Sequence, residues 1–242
     1  MLRKATGDEN AVKHWSFGYQ QAIGSLMYAM VGTRPDLTLA LSEVSRYANC
    51  PNESHYRAVE TIIRYIRGTS DEKLFLGTGG SDATLHGFCD SNWGNDVDTR
   101  RSTTGYVFFI GNSPVSWCTQ RQPTVALSAT EAEYMSVSAA SREAVWLRAL
   151  LFDLCQGARG ATIIRCDNRG AVSLTENAIK HKVNKHIDVR HHYVRDLVRR
   201  SQIAVMWVTS QNMVADVLTK PLPRNRFERW KQTLLGYRMP NA

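Results

Sequence analysis

Apolar positions in the first quarter of the chain recur every three or four residues. Tyr19 to Val31 carries them at helical spacing, and Pro35 stands where a first helical turn begins. Val59, Ile62, Ile63 and Ile66 form one stripe behind Asn52. Three helices are expected before residue 70. Gly68, the run Thr78-Gly79-Gly80-Ser81 and a change from helical to two-residue periodicity mark a boundary, which places a linker near residues 69–82. Beyond it, Leu85 to Cys89, Gly105 to Ile110 and Val115 to Cys118 read as strands of an antiparallel meander, with Gly111-Asn112 turning the second into the third. From Thr130 to Cys155, Tyr134, Val137, Ala140, Ala144, Leu147, Leu151 and Leu154 step by threes and fours, predicting a long helix that packs on the sheet. A strand Thr162 to Arg165, helices Asn168 to Asn177 and Ile187 to Arg200, and a strand Ile203 to Val208 follow. Helices near Val214 to Leu218 and Asn225 to Leu235 finish the chain. The order is mixed α/β with one sheet, preceded by a small helical segment.

Composition narrows the class. A chain of 242 residues, 43% of them apolar, can bury one substantial core plus a smaller appendage. The longest apolar runs, Ile23 to Val31 and Val145 to Cys155, carry polar breaks and fall short of a bilayer span, so no membrane partner is expected. Met1 to Lys13 has mixed charge and no apolar stretch, and does not read as a secretory signal. The five cysteines form no C-x-x-C pair and are odd in number, which argues against a disulfide framework and a zinc site and fits a reducing compartment. The net charge of +8 is unevenly spread: residues 81–157 hold 5 Lys and Arg against 8 Asp and Glu, whereas residues 158–242 hold 16 against 6. An acidic middle beside a basic C-terminal third suits a site that gathers metal ions next to a surface that holds phosphates.

Four short acidic motifs give that idea residues: Cys89-Asp90-Ser91-Asn92, Glu131-Ala132-Glu133-Tyr134, Cys166-Asp167-Asn168 and Ala215-Asp216-Val217. Phosphodiester hydrolysis through two Mg²⁺ ions needs several carboxylates converging within a few ångströms, one ion activating the attacking water and the other stabilising the leaving oxygen. Asp90 and Asp167 each end an apolar strand; if the strands are neighbours, the two carboxylates meet at one sheet edge. Each acid also has a structural reading. Asp167 can cap the helix that follows it, and Ser128-x-x-Glu131 and Thr130-x-x-Glu133 both fit a capping box. Helix register separates the two glutamates: Glu133 shares a stripe with Val137, Ala140 and Ala144, the face that meets the sheet, and Glu131 does not.

These residues lie in a longer pattern. Tyr19-Gln-Gln-Ala-Ile-Gly-Ser-Leu-Met-Tyr28, Thr33-Arg-Pro-Asp36, Arg64-Tyr-Ile-Arg-Gly-Thr69, Asp98-Thr-Arg-Arg-Ser-Thr-Thr-Gly-Tyr106, Ala126-Leu-Ser-Ala-Thr-Glu-Ala-Glu-Tyr134, Lys185-His-Ile-Asp188 and Ala215-Asp-Val-Leu-Thr-Lys-Pro-Leu-Pro223 together resemble the C-terminal part of a copia-type LTR retrotransposon Pol polyprotein. The resemblance covers roughly residues 18–236. It implies a ribonuclease H-like α/β fold over residues 82–242: a five-stranded mixed sheet, three antiparallel strands then parallel additions, with helices on both faces. Residues 1–75 would correspond to the thumb or connection of the reverse transcriptase. The implied activity is endonucleolytic cleavage of the RNA strand of RNA-DNA hybrids during reverse transcription, with two Mg²⁺ ions for which Mn²⁺ can substitute. Asp90, Glu133, Asp167 and Asp216 would be the catalytic and metal-binding acids. The implied partners are the hybrid and the upstream reverse transcriptase domains, and the implied location is the cytoplasm, in a virus-like particle, and the nucleus. Many ribonucleases H carry a histidine on the loop before the last aspartate; Thr209-Ser-Gln-Asn212 has none, although Asn212 matches the pattern. The polymerase's own aspartates are absent. A domesticated, catalytically idle nucleic-acid-binding module and a DNA-processing relative of the same fold are the alternatives.

For the substrate, Arg100, Arg101, Asn168, Lys180, Lys182, Lys185, Arg190 and Asn212 are the candidate contacts, with Arg195, Arg199 and Arg200 further along the same basic stretch. His181, His186, His191 and His192 do not make a zinc site, since no cysteine is near and cations surround them. Asp90 to Arg101 is not a calcium loop, because its twelfth position is an arginine. Trp93, Trp117, Trp146, Trp207 and Trp230 are expected to pack rather than stack on bases.

Overall fold

The computed structural model describes residues 2–4, 15–77, 84–154, 157, 160–176 and 185–238, without the side chains of 185–189 and 191. Three helices come first, as the periodicity predicts: α1 (Tyr19–Gly32), α2 (Thr38–Ser45) and α3 (Glu53–Gly68). Pro35 begins a 3₁₀ turn, Pro35–Leu37, ahead of α2. Asn52 starts α3 by a reciprocal cap: its side-chain oxygen accepts from the His55 N–H, and its own N–H donates to His55 Nδ1 at 2.9 Å. Tyr19, Ile23, Leu26, Leu37, Leu41, Val44, Val59 and Ile62 form the core of this layer.

The sheet has the order β3-β2-β1-β4-β5. Its strands are β1 (Leu85–Asn92), β2 (Thr103–Ile110), β3 (Ser113–Arg121), β4 (Thr162–Cys166) and β5 (Ile203–Trp207). The first three pair antiparallel, and β4 and β5 add in parallel. That is the ribonuclease H-like arrangement expected above. Alternation along the strands divides the core: Cys89, Phe108, Ile164 and Val205 face one side and Phe88, Val107 and Phe109 the other. The first face is covered by α4 (Ala129–Asp153) through Tyr134, Val137, Ala140, Ala144 and Leu147. The helices α5 (Arg169–Glu176) and α6 (Lys185–Arg199) add Ala171, Val194 and Leu197. On the second face lie the segment Val214–Leu218 and α7 (Arg224–Leu234), through Val214, Val217, Leu218, Trp230 and Leu234.

Some local expectations shift. β1 runs three residues past Cys89, so Asp90 lies inside the strand, because Asp90, Ser91 and Asn92 keep pairing with Gly105, Thr104 and Thr103. Val214–Leu218 is 3₁₀ rather than α. Trp230 is buried, but Trp93, Trp146 and Trp207 are 53%, 56% and 42% exposed, so these three lie outside the core. Among them, the indoles of Trp93 and Trp207 are held at the surface by N–H donation to the Ala126 and Asp167 carbonyls.

The helical layer rests on the sheet. Trp117 Nε1 donates to the Met30 carbonyl at 3.1 Å, Arg46 pairs with Asp96 at 2.7 Å, and Lys231 pairs with Glu72 at 2.8 Å. The Phe75 N–H donates to the Leu235 carbonyl, which fixes the chain leaving α3 against the end of α7.

Candidate active site

The acids gather where β1 and β4 end, beneath the start of α4. Asp90 comes from the middle of the sheet and is 1% exposed. Its antiparallel partner is Gly105, and a Cβ there would stand 2.6 Å from Thr219 Cγ2 and 2.8 Å from Leu218 Cβ. The missing side chain therefore lets the segment after Asp216 close onto the sheet. Thr219 Oγ1, so placed, donates to Asp90 Oδ2.

Glu133 enters from α4, and the capping question resolves in its favour. Ser128 Oγ accepts from the Glu131 N–H at 3.1 Å, and Glu131 Oε2 accepts from the Leu127 N–H at 2.9 Å. The helix start is satisfied by Glu131, and Glu133 is left to point inward, 6% exposed. Its Oε1 accepts from the Ser91 N–H at 3.1 Å and from Ser91 Oγ at 2.9 Å, while Cys166 Sγ donates to Oε2 at 3.6 Å.

Asp167 follows β4. The cap of α5 is its neighbour Asn168, whose Oδ1 accepts from the Ala171 N–H at 2.9 Å, so Asp167 is released from capping. Ser210 Oγ donates to Asp167 Oδ2 at 2.6 Å. Carboxylate oxygens of Asp90, Glu133 and Asp167 lie within 4.8 Å of one another, a set that could hold a metal ion.

Asp216 stands beside these three rather than among them. Lys220, one helical turn on, places Nζ 2.7 Å from Asp216 Oδ1 and 3.5 Å from Asp90 Oδ2, and Arg226 Nη2 contacts Asp216 Oδ2. Burial pushes the Asp90 carboxyl well above the ordinary range; the Lys220 ammonium opposes that rise and the Asp216 charge adds to it. Burial raises Glu133 likewise, reinforced by the charge of Asp90. Burial works against the Lys220 ammonium, yet Asp90 and Asp216 outweigh it and hold its proton more tightly than usual.

These features fit a divalent cation. The donors are hard anionic oxygens, and burial in each other's field makes the negative charge of Asp90 and Glu133 costly, a cost such a cation would offset.

The sequence pointed to the four acids and missed their holders, Ser91, Gly105, Ser210, Thr219, Lys220 and Arg226. Gly105, Thr219 and Lys220 lie inside the stretches that carried the resemblance, which was the available signal.

The substrate candidates are scattered. Arg100 and Arg101 sit on the loop between β1 and β2; the Arg100 N–H donates to the Asp96 carbonyl, and Arg100 has a φ of 57°. Arg190 lies on α6, part-buried. Asn212 ends a 3₁₀ turn, Ser210–Asn212, where Arg229 donates to its side-chain oxygen at 3.4 Å. Lys180, Lys182 and His181 fall outside the described residues, as do the side chains of Lys185, His186 and His191.

No family model matches the sequence. It is 41% identical over 214 residues to a retrovirus-related Pol polyprotein from transposon TNT 1-94 of Nicotiana tabacum, a match covering 88% of this chain and 16% of the relative. Against the corresponding protein from transposon RE2 of Arabidopsis thaliana it is 36% identical over 222 residues, 92% of this chain and 15% of the relative. The chain thus spans about one sixth of the length of each of these two polyproteins. Among solved structures, LC11-RNase H1 in complex with RNA/DNA hybrid superimposes with a TM-score of 0.42 and 11% identity, over 56% of this chain and 94% of that one. No helix among the described residues is long and apolar enough to cross a membrane.

Proposed function

Because this chain belongs to the retrovirus-related Pol polyproteins of transposons, we propose that it is their ribonuclease H portion, a hydrolase that cuts the RNA strand of RNA-DNA hybrids. The observation that carries this reading is the meeting of Asp90, Glu133 and Asp167 within 4.8 Å beside the parallel strands β1 and β4. Asp90, Glu133, Asp167 and Asp216 would hold Mg²⁺. When bound, two such ions supply an activated water and a stabilised leaving oxygen.

The chain's own contribution is positioning. Ser91 fixes Glu133, Ser210 fixes Asp167 and Thr219 fixes Asp90, so that each carboxylate presents an oxygen inward without a search over rotamers. Lys220 and Arg226 hold Asp216 beside them. The basic residues on α6 and on the loop between β1 and β2 would follow the phosphate backbones, and hybrid would be told from other duplexes by its minor-groove shape and 2′-hydroxyls. In the longer polyprotein, residues 1–75 would be the last part of the reverse transcriptase, passing hybrid toward this site.

The test is cleavage of end-labelled RNA-DNA hybrid, duplex RNA and duplex DNA side by side in Mg²⁺. Hybrid alone should be cut, and Asp167→Asn should lower the rate by at least about a hundredfold, the scale of losing one charge-stabilising group. Equal rates for the two proteins remove this site from the chemistry. Cleavage of duplex DNA alone identifies a DNA-processing relative, and binding without cleavage identifies an idle module.

A further inference from the structure

The acidic site carries cations of its own, and they are unevenly placed. Both oxygens of Asp216 are engaged, Oδ1 by Lys220 at 2.7 Å and Oδ2 by Arg226. The same Lys220 ammonium is 3.5 Å from Asp90 Oδ2, so a single positive charge spans two carboxylates that are each 1% exposed. Among the described residues no ion pair reaches Glu133 or Asp167, whose oxygens are met by Ser91, Cys166 and Ser210 alone. One half of the site is neutralised by side chains and the other half is not.

We propose that Lys220 is a resident cation for the Asp90–Asp216 half of the site. Without substrate, the chain takes one divalent ion, on Asp90, Glu133 and Asp167, and a second enters beside Asp216 only after the ammonium has moved away. The inference rests on the metal-site reading given above and deepens it. Four ionised acids against Lys220 and Arg226 leave a deficit of two charges, which one divalent ion closes. A second ion would leave a buried excess of positive charge until phosphates of the substrate arrive to balance it. Lys220 has the means to leave. Its side chain is 34% exposed, its stem is flexible, and it lines a cleft of about 660 Å³ between the helical layer and the nuclease sheet, together with Asn92, Asn95, Leu222 and Phe227. It is therefore a positioning residue for the second ion, and it need not touch the reacting atoms.

Calorimetric titration of the full chain with Mn²⁺ alone, in the absence of nucleic acid, tests the idea. The wild type should bind one ion. Lys220→Met, which keeps the length of the stem and removes the charge, should bind two, or bind one at least about tenfold more tightly, since a doubly charged ion feels a nearby unit charge strongly even at a water-like dielectric. Lys220→Arg should restore the wild-type isotherm, and thermal melts of the metal-free proteins confirm that each variant is folded. Two ions on the wild type, or the same stoichiometry and affinity for folded Lys220→Met as for wild type, overturn the role of Lys220 and leave the metal site standing. A wild type that binds no ion overturns the metal site and the role of Lys220 with it.

Discussion

At the scale of single residues, the site depends on an absence. Gly105 faces Asp90 across the β1–β2 pair, and the space of its missing side chain is taken by Thr219 and Leu218. Gly105→Ala puts a methyl group within 2.6 Å of Thr219 Cγ2, with β-sheet backbone on one side and a buried segment on the other, so neither neighbour yields cheaply. The expected cost is about 1–3 kcal/mol, the usual price of overpacking, and Thr219 would be driven off Asp90. Thermal or chemical unfolding reads the first effect and Mn²⁺ affinity the second; a variant as stable as wild type with the same affinity would show that the segment relaxes freely. The meeting of Asp90, Glu133 and Asp167 was legible in the sequence, because strand alternation and helix register limit where a carboxylate can point. Thr219 and Lys220 were not: they meet Asp90 from about 130 positions away, a contact set by packing that no local pattern encodes.

At the scale of elements, periodicity located the helices and strands well, and its errors fall where pairing overrides local pattern. Asp90, Ser91 and Asn92 are polar and read as a strand end, yet the ladder to Thr103 carries them on. The loop after that strand is held by Asp96, which the sequence offered only as part of a rejected calcium loop. Burial raises its proton affinity, but donation from Thr99, Arg121, the Asp98 N–H and Arg46 outweighs that, so the carboxyl is held well below its ordinary value. A depressed folded-state value gives stability that is fully present above the unfolded value of about 3.9 and is lost as pH falls through the depressed one. Unfolding followed by denaturant from pH 6 downward should therefore show a decline beginning near pH 4. Asp96→Asn should cost about 2 kcal/mol at neutral pH, the scale of hydrogen bonds to a charged group, and flatten that decline. A decline of the same size in the variant would assign acid sensitivity to other carboxylates.

At the scale of the whole molecule, the sequence marked a boundary after the third helix without showing that the two sides touch. Trp117, Asp96 and Lys231 hold Met30, Arg46 and Glu72 across separations of 50 to 159 residues, contacts that follow from the folded shapes of both layers. The charge of the chain is unevenly divided. Asp90 and Glu133 come from the acidic middle and Asp167 and Asp216 from the last third, where residues 158–242 carry 16 Lys and Arg against 6 Asp and Glu. A surface of that kind binds a polyanion largely by releasing counterions, so log affinity for hybrid should fall linearly with log salt, with a slope near 0.9 per phosphate contacted if hybrid behaves as a duplex. Arg100→Ala, Arg101→Ala and Arg190→Ala combined should reduce that slope by about three, uniformly across hybrid sequences, because phosphate contacts carry no sequence information. Fluorescence anisotropy of a labelled hybrid between 50 and 200 mM salt, in Ca²⁺ to prevent cleavage, measures it. A slope that the triple variant leaves unchanged would move the phosphate track off the β1–β2 loop and α6, and would leave the remaining cations of the C-terminal third to carry the hybrid.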